Sequence, residues 1–321
     1  MKKDISIGIH INQCHMDFQH VQNITKAAEK LGFDFVTLMD HFRPFDTFPP
    51  KNGKLMECWT TLSALAMKTN RIQLGSMVNC TLYRNPALVA KIASSFDHIS
   101  NGRLKFGIGA CNFQNEFEEY GYYFEKPRIR IERLEEAITI IKMLWMNNEV
   151  SYEGKHYKIK NAVCEPKPIQ EPHPPIFVGG RGEQFTLKVV ARLADGWNFP
   201  GRYQQLDHKL KILRNYCTDI GRNMEEITVS WATYVILSSD PKEIALYQPS
   251  YFNNMEDFID FSLIGTPEDC IKKMNRFIEL GVTDFEFIFP ETFPILNGVA
   301  RESSIKMIED FSESVLPEFS K

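Results

Sequence analysis

The sequence predicts an α/β protein folded as a closed (β/α)8 barrel, the TIM-barrel architecture, in one domain over residues 1–321. Three observations carry this. Short apolar strands alternate with helical patterns, and eight strand–helix units can be counted along the chain. Such alternation implies parallel strands, because each helix must carry the chain back across the sheet. The length of 321 residues suits one large barrel as well as two average domains, since such barrels commonly reach about 250 residues or more as a single unit. A doubly wound open sheet is the competing architecture. It usually carries a glycine-rich first turn, whereas the first turn here is Asn12-Gln13-Cys14-His15.

The elements follow in order. Ile5, Ile7, Ile9 and Ile11 alternate with Ser6, Gly8, His10 and Asn12, a strand with period two. Val21, Ile24, Ala28 and Leu31 have helical spacing and stop at Gly32. Strand two is Phe35 to Met39, helix two Cys58 to Lys68, and strand three Ile72 to Asn79. Helix three starts near Pro86, a good first-turn residue, with Leu88, Ile92, Phe96 and Ile99 expected on its apolar face. Strand four is Leu104 to Gly109, followed by the strongest helical stripe, Ile131, Leu134, Ile138, Ile141 and Trp145. Strand five is Pro175 to Gly179, with Glu183 to Leu193 as its helix. Strand six is Gly196 to Asn198 and strand seven Ile227 to Leu237. Cys270 to Leu280 is helical, Phe285 to Phe289 is strand eight, and Ser304 to Val315 closes as a helix.

Two stretches exceed a minimal barrel. Residues 147–174 read as an insertion before strand five: a hairpin of Val150-Ser151-Tyr152 and His156-Tyr157-Lys158, then a proline-rich run. Residues 239–265 lack clear periodicity and are expected to form a long functional loop or lid.

Composition narrows the function classes. Hydrophobic residues are 43% and charged residues 24%, which excludes a disordered chain, a collagen and a coiled-coil rod. The net charge of −4 does not suit a coat for nucleic acid or for an anionic membrane, so neither partner is expected. No apolar run is long enough to span a bilayer, and Met1-Lys2-Lys3-Asp4 leads into an alternating strand rather than a signal peptide. The seven cysteines, at 14, 58, 80, 111, 164, 217 and 270, are odd in number and include no Cys-x-x-Cys. They suggest neither a disulfide framework nor a zinc knuckle, and fit a reducing cytoplasm.

In a barrel the active site lies at the C-terminal ends of the strands. If the first strand's isoleucines face the helices, Ser6, Gly8, His10 and Asn12 face the axis, leaving room for a flat ligand near the mouth. Asp40-His41 is the one acid–histidine pair at a strand end; histidine can give or take a proton near neutral pH during a redox step. A backbone-bonded loop histidine is the plainer alternative. His10 is an even choice between the two roles, and His98, on a helical face, is read as structural. Gly179-Gly180-Arg181-Gly182 joins a strand to a helix, where backbone N–H groups and Arg181 could receive a phosphate; a left-handed turn alone would also call for glycine. Metal spacings, a nucleophile elbow and a strand-end lysine are missing from the sequence. Glu286 and Glu291 could serve as paired carboxylates, but read better as structural or surface acids.

Several runs resemble the bacterial luciferase-like superfamily: Leu38-Met39-Asp40-His41-Phe42-Arg43-Pro44, Tyr83-Arg84-Asn85-Pro86-Ala87-Leu88, Ser100-Asn101-Gly102-Arg103-Leu104 and Gly107-Ile108-Gly109-Ala110. So do Arg133-Leu134-Glu135-Glu136-Ala137, Tyr152-Glu153-Gly154-Lys155-His156-Tyr157, Pro174-Pro175-Ile176-Phe177-Val178-Gly179-Gly180 and Ala194-Asp195-Gly196-Trp197-Asn198. Their order holds over about residues 5–200, and the subgroup most like this chain is that of the coenzyme F420-dependent oxidoreductases.

The resemblance implies a (β/α)8 barrel with an insertion before strand five and a flavin or deazaflavin in the mouth. It implies an oxidoreductase moving a hydride between F420 and a small organic substrate, with His41 transferring a proton and Asp40 contacting the cofactor. It places a non-proline cis peptide at Met77-Val78 behind the ring, with Cys80 and Thr81 beside it. Gly109 and Ala110 would also border the cofactor, and Gly179, Gly180, Arg181 and Gly182 would hold its phosphate. Phe45 stands where sugar-phosphate dehydrogenases of the superfamily have tryptophan, and Asn112 where they have a catalytic glutamate; with Trp197 these are the expected substrate-facing residues. Asparagine cannot act as an acid, which argues against sugar-phosphate oxidation. The alternative is an FMN-dependent two-component monooxygenase supplied by a separate flavin reductase. A non-catalytic flavin-binding protein is a third option. A homodimer is expected.

Overall fold

The computed structural model describes residues 4–292, 295–296, 299–300 and 304–319. The chain runs β1 (Ser6–Ile11), α1 (Phe18–Lys30), β2 (Phe35–Leu38), α2 (Cys58–Ala66), β3 (Gln73–Cys80), α3 (Pro86–Ile99), β4 (Leu104–Gly109), α4 (Gln114–Glu119) and α5 (Pro127–Met146). It continues through β5 (Val150–Glu153), β6 (Lys158–Ala162), β7 (Ile176–Gly179), α6 (Thr186–Leu193), β8 (Gly196–Pro200), α7 (Tyr203–Asp219) and β9 (Thr228–Ile236). Last come α8 (Pro241–Tyr247), α9 (Met255–Phe261), β10 (Leu263–Ile264), α10 (Pro267–Glu279), β11 (Val282–Ile288) and α11 (Lys306–Ser314).

Eight parallel strands close into a barrel in the order β1-β2-β3-β4-β7-β8-β9-β11. The ring shuts where β11 pairs β1 in the register Ser6↔Asp284 to Ile9↔Phe287. The open-sheet alternative is thereby excluded. Among the described residues no helix is long and apolar enough to cross a membrane.

Local sequence explains most of the elements. Asp17 caps α1 by accepting from the His20 N–H, and Asn85 caps α3 one residue before Pro86. Thr266 and Asp269 form a reciprocal capping box on α10. Ile7, Ile9 and Ile11 are buried in the outer core against the helices, as the period-two pattern predicts.

Three expectations need correcting. The buried face of α3 is Val89, Ala90, Ala93 and Phe96, while Leu88 and Ile99 are 51% and 47% exposed. The small alanines let α3 sit close to α5, whose Trp145 indole donates to the Ala90 carbonyl at 3.0 Å, and a search for large apolar residues overlooks them. The sequence-based layout has no helix between strands six and seven, yet α7 lies there, burying Leu206, Leu210, Leu213 and Cys217. Residues 239–265 are more ordered than a loop. They form α8, α9 and β10, whose aromatic residues pack on Phe48 and Tyr234 beside the mouth.

The insertion contains the expected hairpin, β5 with β6, although its second strand starts at Lys158 rather than His156. Glu136 on α5 explains the shift. Its carboxylate accepts from the N–H groups of Lys155, His156 and Tyr157, so these residues form the turn.

The inside of the barrel departs from the layers of branched apolar side chains usual in this fold. Lys105 on β4 and Asp284 on β11 form a buried ion pair at 2.6 Å, and the ammonium also lies over the rings of Phe35 and Phe177. Burial raises the Asp284 carboxyl, and the Lys105 charge opposes that rise. A buried pair tolerates loss of both charges better than loss of one. Lys105→Met is therefore expected to lower the unfolding free energy by about 3–5 kcal/mol, and Lys105→Met with Asp284→Leu to recover a large part of it. Urea unfolding of the three proteins checks this; equal losses in the single and double variants would contradict the pairing.

Candidate active site

A cavity of about 440 Å³ opens at the C-terminal end of the barrel, a size suited to a small ligand or part of a cofactor. The residues after β2 form one wall. Asp40 is only 2% exposed. Its Oδ1 and Oδ2 accept from the two terminal nitrogens of Arg84 at 3.0 and 2.7 Å, and Oδ2 also accepts from the Cys80 N–H at 2.9 Å. Burial would lower the Arg84 guanidinium, but Asp40 and Glu57 hold it above its ordinary value. Asp40 thus ties the end of β2 to the end of β3.

His41 is held by a residue that sequence reasoning passed over. Its Nδ1 lies 2.8 Å from Glu116 Oε2 on α4. Glu116 is fully buried, and it also accepts from the Phe42 N–H at 2.7 Å, the Arg43 N–H at 3.2 Å and the Tyr83 hydroxyl. Burial would raise this carboxyl, but the bonds from His41, Tyr83 and Phe42 keep it below its ordinary value. An ionised Glu116 favours the tautomer in which His41 Nδ1 carries the proton, which leaves Nε2 unprotonated on a residue that lines the cavity. The same logic orients the histidine of a serine-hydrolase triad. The acid is far along the chain, so only its place in Asn115-Glu116, after strand four, could have marked it.

The strand beside this pair carries a bulge. The Met77–Val78 peptide is cis, where the family resemblance puts it, and the β3–β4 register slips between Ser76 and Asn79. The Val78 side chain enters space that would otherwise hold a Cβ at two glycines. A Cβ on Gly109 or on Gly179 would lie 2.6 Å from a Val78 methyl. These glycines therefore make room for the bulge. Met77 and Val78 line the cavity.

A second histidine–carboxylate pair stands nearer the axis. His10 Nδ1 is 2.9 Å from Thr37 Oγ1 and 3.5 Å from Glu286 Oε1. Glu286 accepts from the Thr37 hydroxyl and from Asn198 Nδ2 at 2.8 Å. Burial would raise Glu286, and its contacts with His10 and Thr37 hold it below its ordinary value. Glu286 is thus an interior anchor for His10, and Glu291, which lies after β11, accepts from the Met307 N–H at 2.7 Å. Asn12 borders the same cavity, and among the described residues its buried Oδ1 meets no hydrogen-bond donor. An acceptor left open in this way fits a ligand that brings an N–H or O–H.

The structure gathers Asp40, His41, Phe45, Met77, Val78, Cys80 and Asn112 around the cavity. Thr81 lies outside the lining and donates to the Gly109 carbonyl at 2.8 Å, and Ala110 packs against the outer core. Gly179, Gly180, Arg181 and Gly182 sit at the same end of the barrel, beyond the cavity lining, with Arg181 exposed. Trp197 is separate from the cavity. It is wholly buried in the outer core and donates from its indole to the Gly180 carbonyl at 2.9 Å. Its neighbour Asn198 points into the barrel instead, because successive strand residues face opposite sides. Tyr234 and Tyr251, joined hydroxyl to hydroxyl, complete the rim, and burial pushes the Tyr234 phenol up to about 12.

One expectation about cysteine is overturned. Cys80 and Cys111 form a disulfide that lines the cavity, while Cys14, Cys58, Cys164, Cys217 and Cys270 are free and buried. The 31-residue separation hid the pairing, since only the neighbouring ends of β3 and β4 bring the two sulfurs together.

Comparison with known proteins agrees with this fold. An F420-dependent glucose-6-phosphate dehydrogenase of Microbacterium testaceum is 26% identical, over 92% of this chain and 91% of that protein. A 5,10-methylenetetrahydromethanopterin reductase of Archaeoglobus fulgidus is 27% identical, over 84% and 89%. An F420-dependent secondary alcohol dehydrogenase, solved in complex with an F420-acetone adduct, shares the fold with a TM-score of 0.82 at 20% identity, covering 99% of this chain and all of that one. The monooxygenase RslO1 from Streptomyces bottropensis shares it with a TM-score of 0.80 at 20% identity, covering 98% and 100%. Residues 4–252 match the model of the luciferase-like monooxygenases, and the chain belongs to that family.

Proposed function

We propose that this protein is an oxidoreductase that transfers a hydride between coenzyme F420 and a small uncharged organic substrate at an alcohol or carbonyl carbon. The observation that carries the proposal is the His41–Glu116 pair, which presents a proton-exchanging nitrogen to a cavity bordered by the Met77–Val78 bulge. The relatives named as F420-dependent enzymes support the choice of cofactor.

The residues present fit such a group. Met77 and Val78 offer an apolar surface to a flat ring, and the open Asn12 Oδ1 offers an acceptor to a ring N–H. The exposed Arg181, between Gly180 and Gly182, supplies a cation and close backbone approach for the phosphate end. When bound, the deazaflavin supplies the carbon that takes or gives the hydride. The protein's part is the proton. His41 Nε2 takes it from a substrate hydroxyl during oxidation and returns it to the oxygen during reduction. Glu116 stabilises the imidazolium between these events.

The cavity lining also bears on the substrate. Phe45, Phe48, Tyr234 and Ile288 make it largely apolar, and among the described residues no lysine or arginine lines it. A hexose phosphate would find no cation there, and Asn112 cannot act as an acid. A compact neutral alcohol or ketone fits better. A cytoplasmic homodimer belongs to the same proposal, on the strength of the family resemblance. A flavin reductase would be a partner only for an FMN-dependent enzyme.

Titration with F420 and with FMN, oxidised and reduced, tests the cofactor by fluorescence quenching. Submicromolar F420 binding is expected; FMN binding without F420 binding would replace the proposal with a two-component monooxygenase. His41→Ala should keep cofactor affinity and lower kcat by about 10²–10⁴-fold; unchanged turnover would remove His41 from proton transfer. Glu116→Gln should weaken the enzyme through His41 and also report on stability. The native Glu116 carboxyl lies below its ordinary 4.5. Its contribution is therefore present above about pH 5 and is lost as the pH falls through the lower native value. The stability gap between wild type and Glu116→Gln, read by urea unfolding, should be widest near neutrality and close on acidification. A gap that does not vary with pH would contradict an ionised Glu116.

A further inference from the structure

We propose that the Cys80–Cys111 disulfide is a thiol-exchange site, at which low-molecular-weight thiols open the wall of the active-site cavity, with Cys111 as the sulfur they attack. The proposal begins with placement. The five free cysteines are all buried, whereas both residues of the pair border the cavity. Disulfides packed in a core resist exchange, and those open to solvent are the labile ones.

The two residues differ in exposure. Cys80 is only 4% exposed, at the end of a barrel strand. Cys111 is partly exposed, in the segment between β4 and α4. A cavity of about 440 Å³ stands open beside it, large enough for a small thiol. The electron balance is simple. A thiolate forms a bond to Cys111 Sγ, the Cys80–Cys111 bond breaks, and Cys80 Sγ leaves with the electron pair and takes a proton from water. Cys111 then carries a mixed disulfide that projects into the cavity. A second thiolate attacks the outer sulfur of that adduct, releases the oxidised small-molecule disulfide, and leaves Cys111 as a thiol.

The segments joined by the bond give the exchange its consequence. Cys80 ends the bulged strand, and its N–H is held by Asp40. Cys111 has a left-handed backbone with φ 59°, a conformation disfavoured for a residue with a side chain. Asn112 and Phe113 follow, and then α4, which carries Glu116 to His41. The disulfide is the covalent tie between the bulge and the segment that orients the proton-transfer histidine. Opening it frees Cys111 to leave the left-handed region and loosens the start of α4. The thiol chemistry stands independently of the cofactor; only the effect on cofactor binding rests on the proposed function.

Three measurements on the full-length protein test this. Thiols counted after denaturation without reductant should number five, in keeping with the five free cysteines, and glutathione added to the native protein should be found on Cys111 by peptide mass spectrometry. Seven thiols in protein prepared in air, or a pair that ignores millimolar glutathione while folded, would overturn the proposal. Hydrogen exchange should quicken across residues 110–119 on reduction of the wild type; exchange that does not change there would remove the link to Glu116. Cofactor affinity should fall by about fivefold or more on reduction, with Cys80→Ser and Cys111→Ser each insensitive to reductant. An affinity that responds equally in the variants would place the thiol effect elsewhere. Failure of F420 to bind, with the thiol and exchange results as expected, would count against the proposed function alone.

Discussion

A single buried carboxylate, Glu116, organises the mouth of this barrel. A charge removed from water must be met by donors on every side, or the fold loses several kcal/mol. Glu116 is met by the His41 ring, the backbone of Phe42 and Arg43, and the Tyr83 hydroxyl. Those donors come from the segments after β2 and β3, while the carboxylate comes from the short helix after β4. Three strand ends that have no hydrogen-bonded ladder beyond the barrel are drawn together by this requirement. Asp40 repeats the device one residue earlier, with Arg84 and the Cys80 N–H as its donors. Arg43 extends it outward to Glu119 at 2.5 Å. The result is a histidine held in one orientation rather than a mobile one, as the proposed proton transfer would need.

The barrel interior obeys the same rule deeper down. Lys105 with Asp284, and Glu286 with His10, Thr37 and Asn198, replace layers that would ordinarily be apolar. Asn198 links the carboxylate to Ser230 at 3.1 Å, so the polar groups of five strands share one network. Such a network stabilises little compared with a packed hydrocarbon core, but it leaves no freedom of register. Each side chain has one place where its partners are found.

Much of this was legible in the sequence, for identifiable reasons. The strands were visible because one face of each is apolar, as Ile7, Ile9 and Ile11 show, and the mouth could be located from strand ends alone. Asp40 and His41 were found because they are adjacent in the chain. What escaped notice was everything defined by contact across the ring. Glu116 sits among other acids with only its place after strand four to mark it, and Cys80 and Cys111 are brought together only by neighbouring strand ends. Trp197 was misplaced because its position at a strand end suggested a ligand contact, whereas strand alternation turns it outward and sends Asn198 inward. The α3 face was rotated because Ala90 and Ala93 pack well but carry little hydrophobic signal.

The position of Glu286 has a consequence for how the molecule comes to be assembled. It lies on β11, the strand that closes the ring against β1, and its bond with Thr37 spans 249 residues of chain. Until that strand arrives, His10, Thr37 and Asn198 lack their shared acceptor. A growing or partly folded chain can therefore build seven strands and still hold an unsatisfied polar interior, with no cheap way to dry it. Closure of the ring and completion of this polar interior are one event.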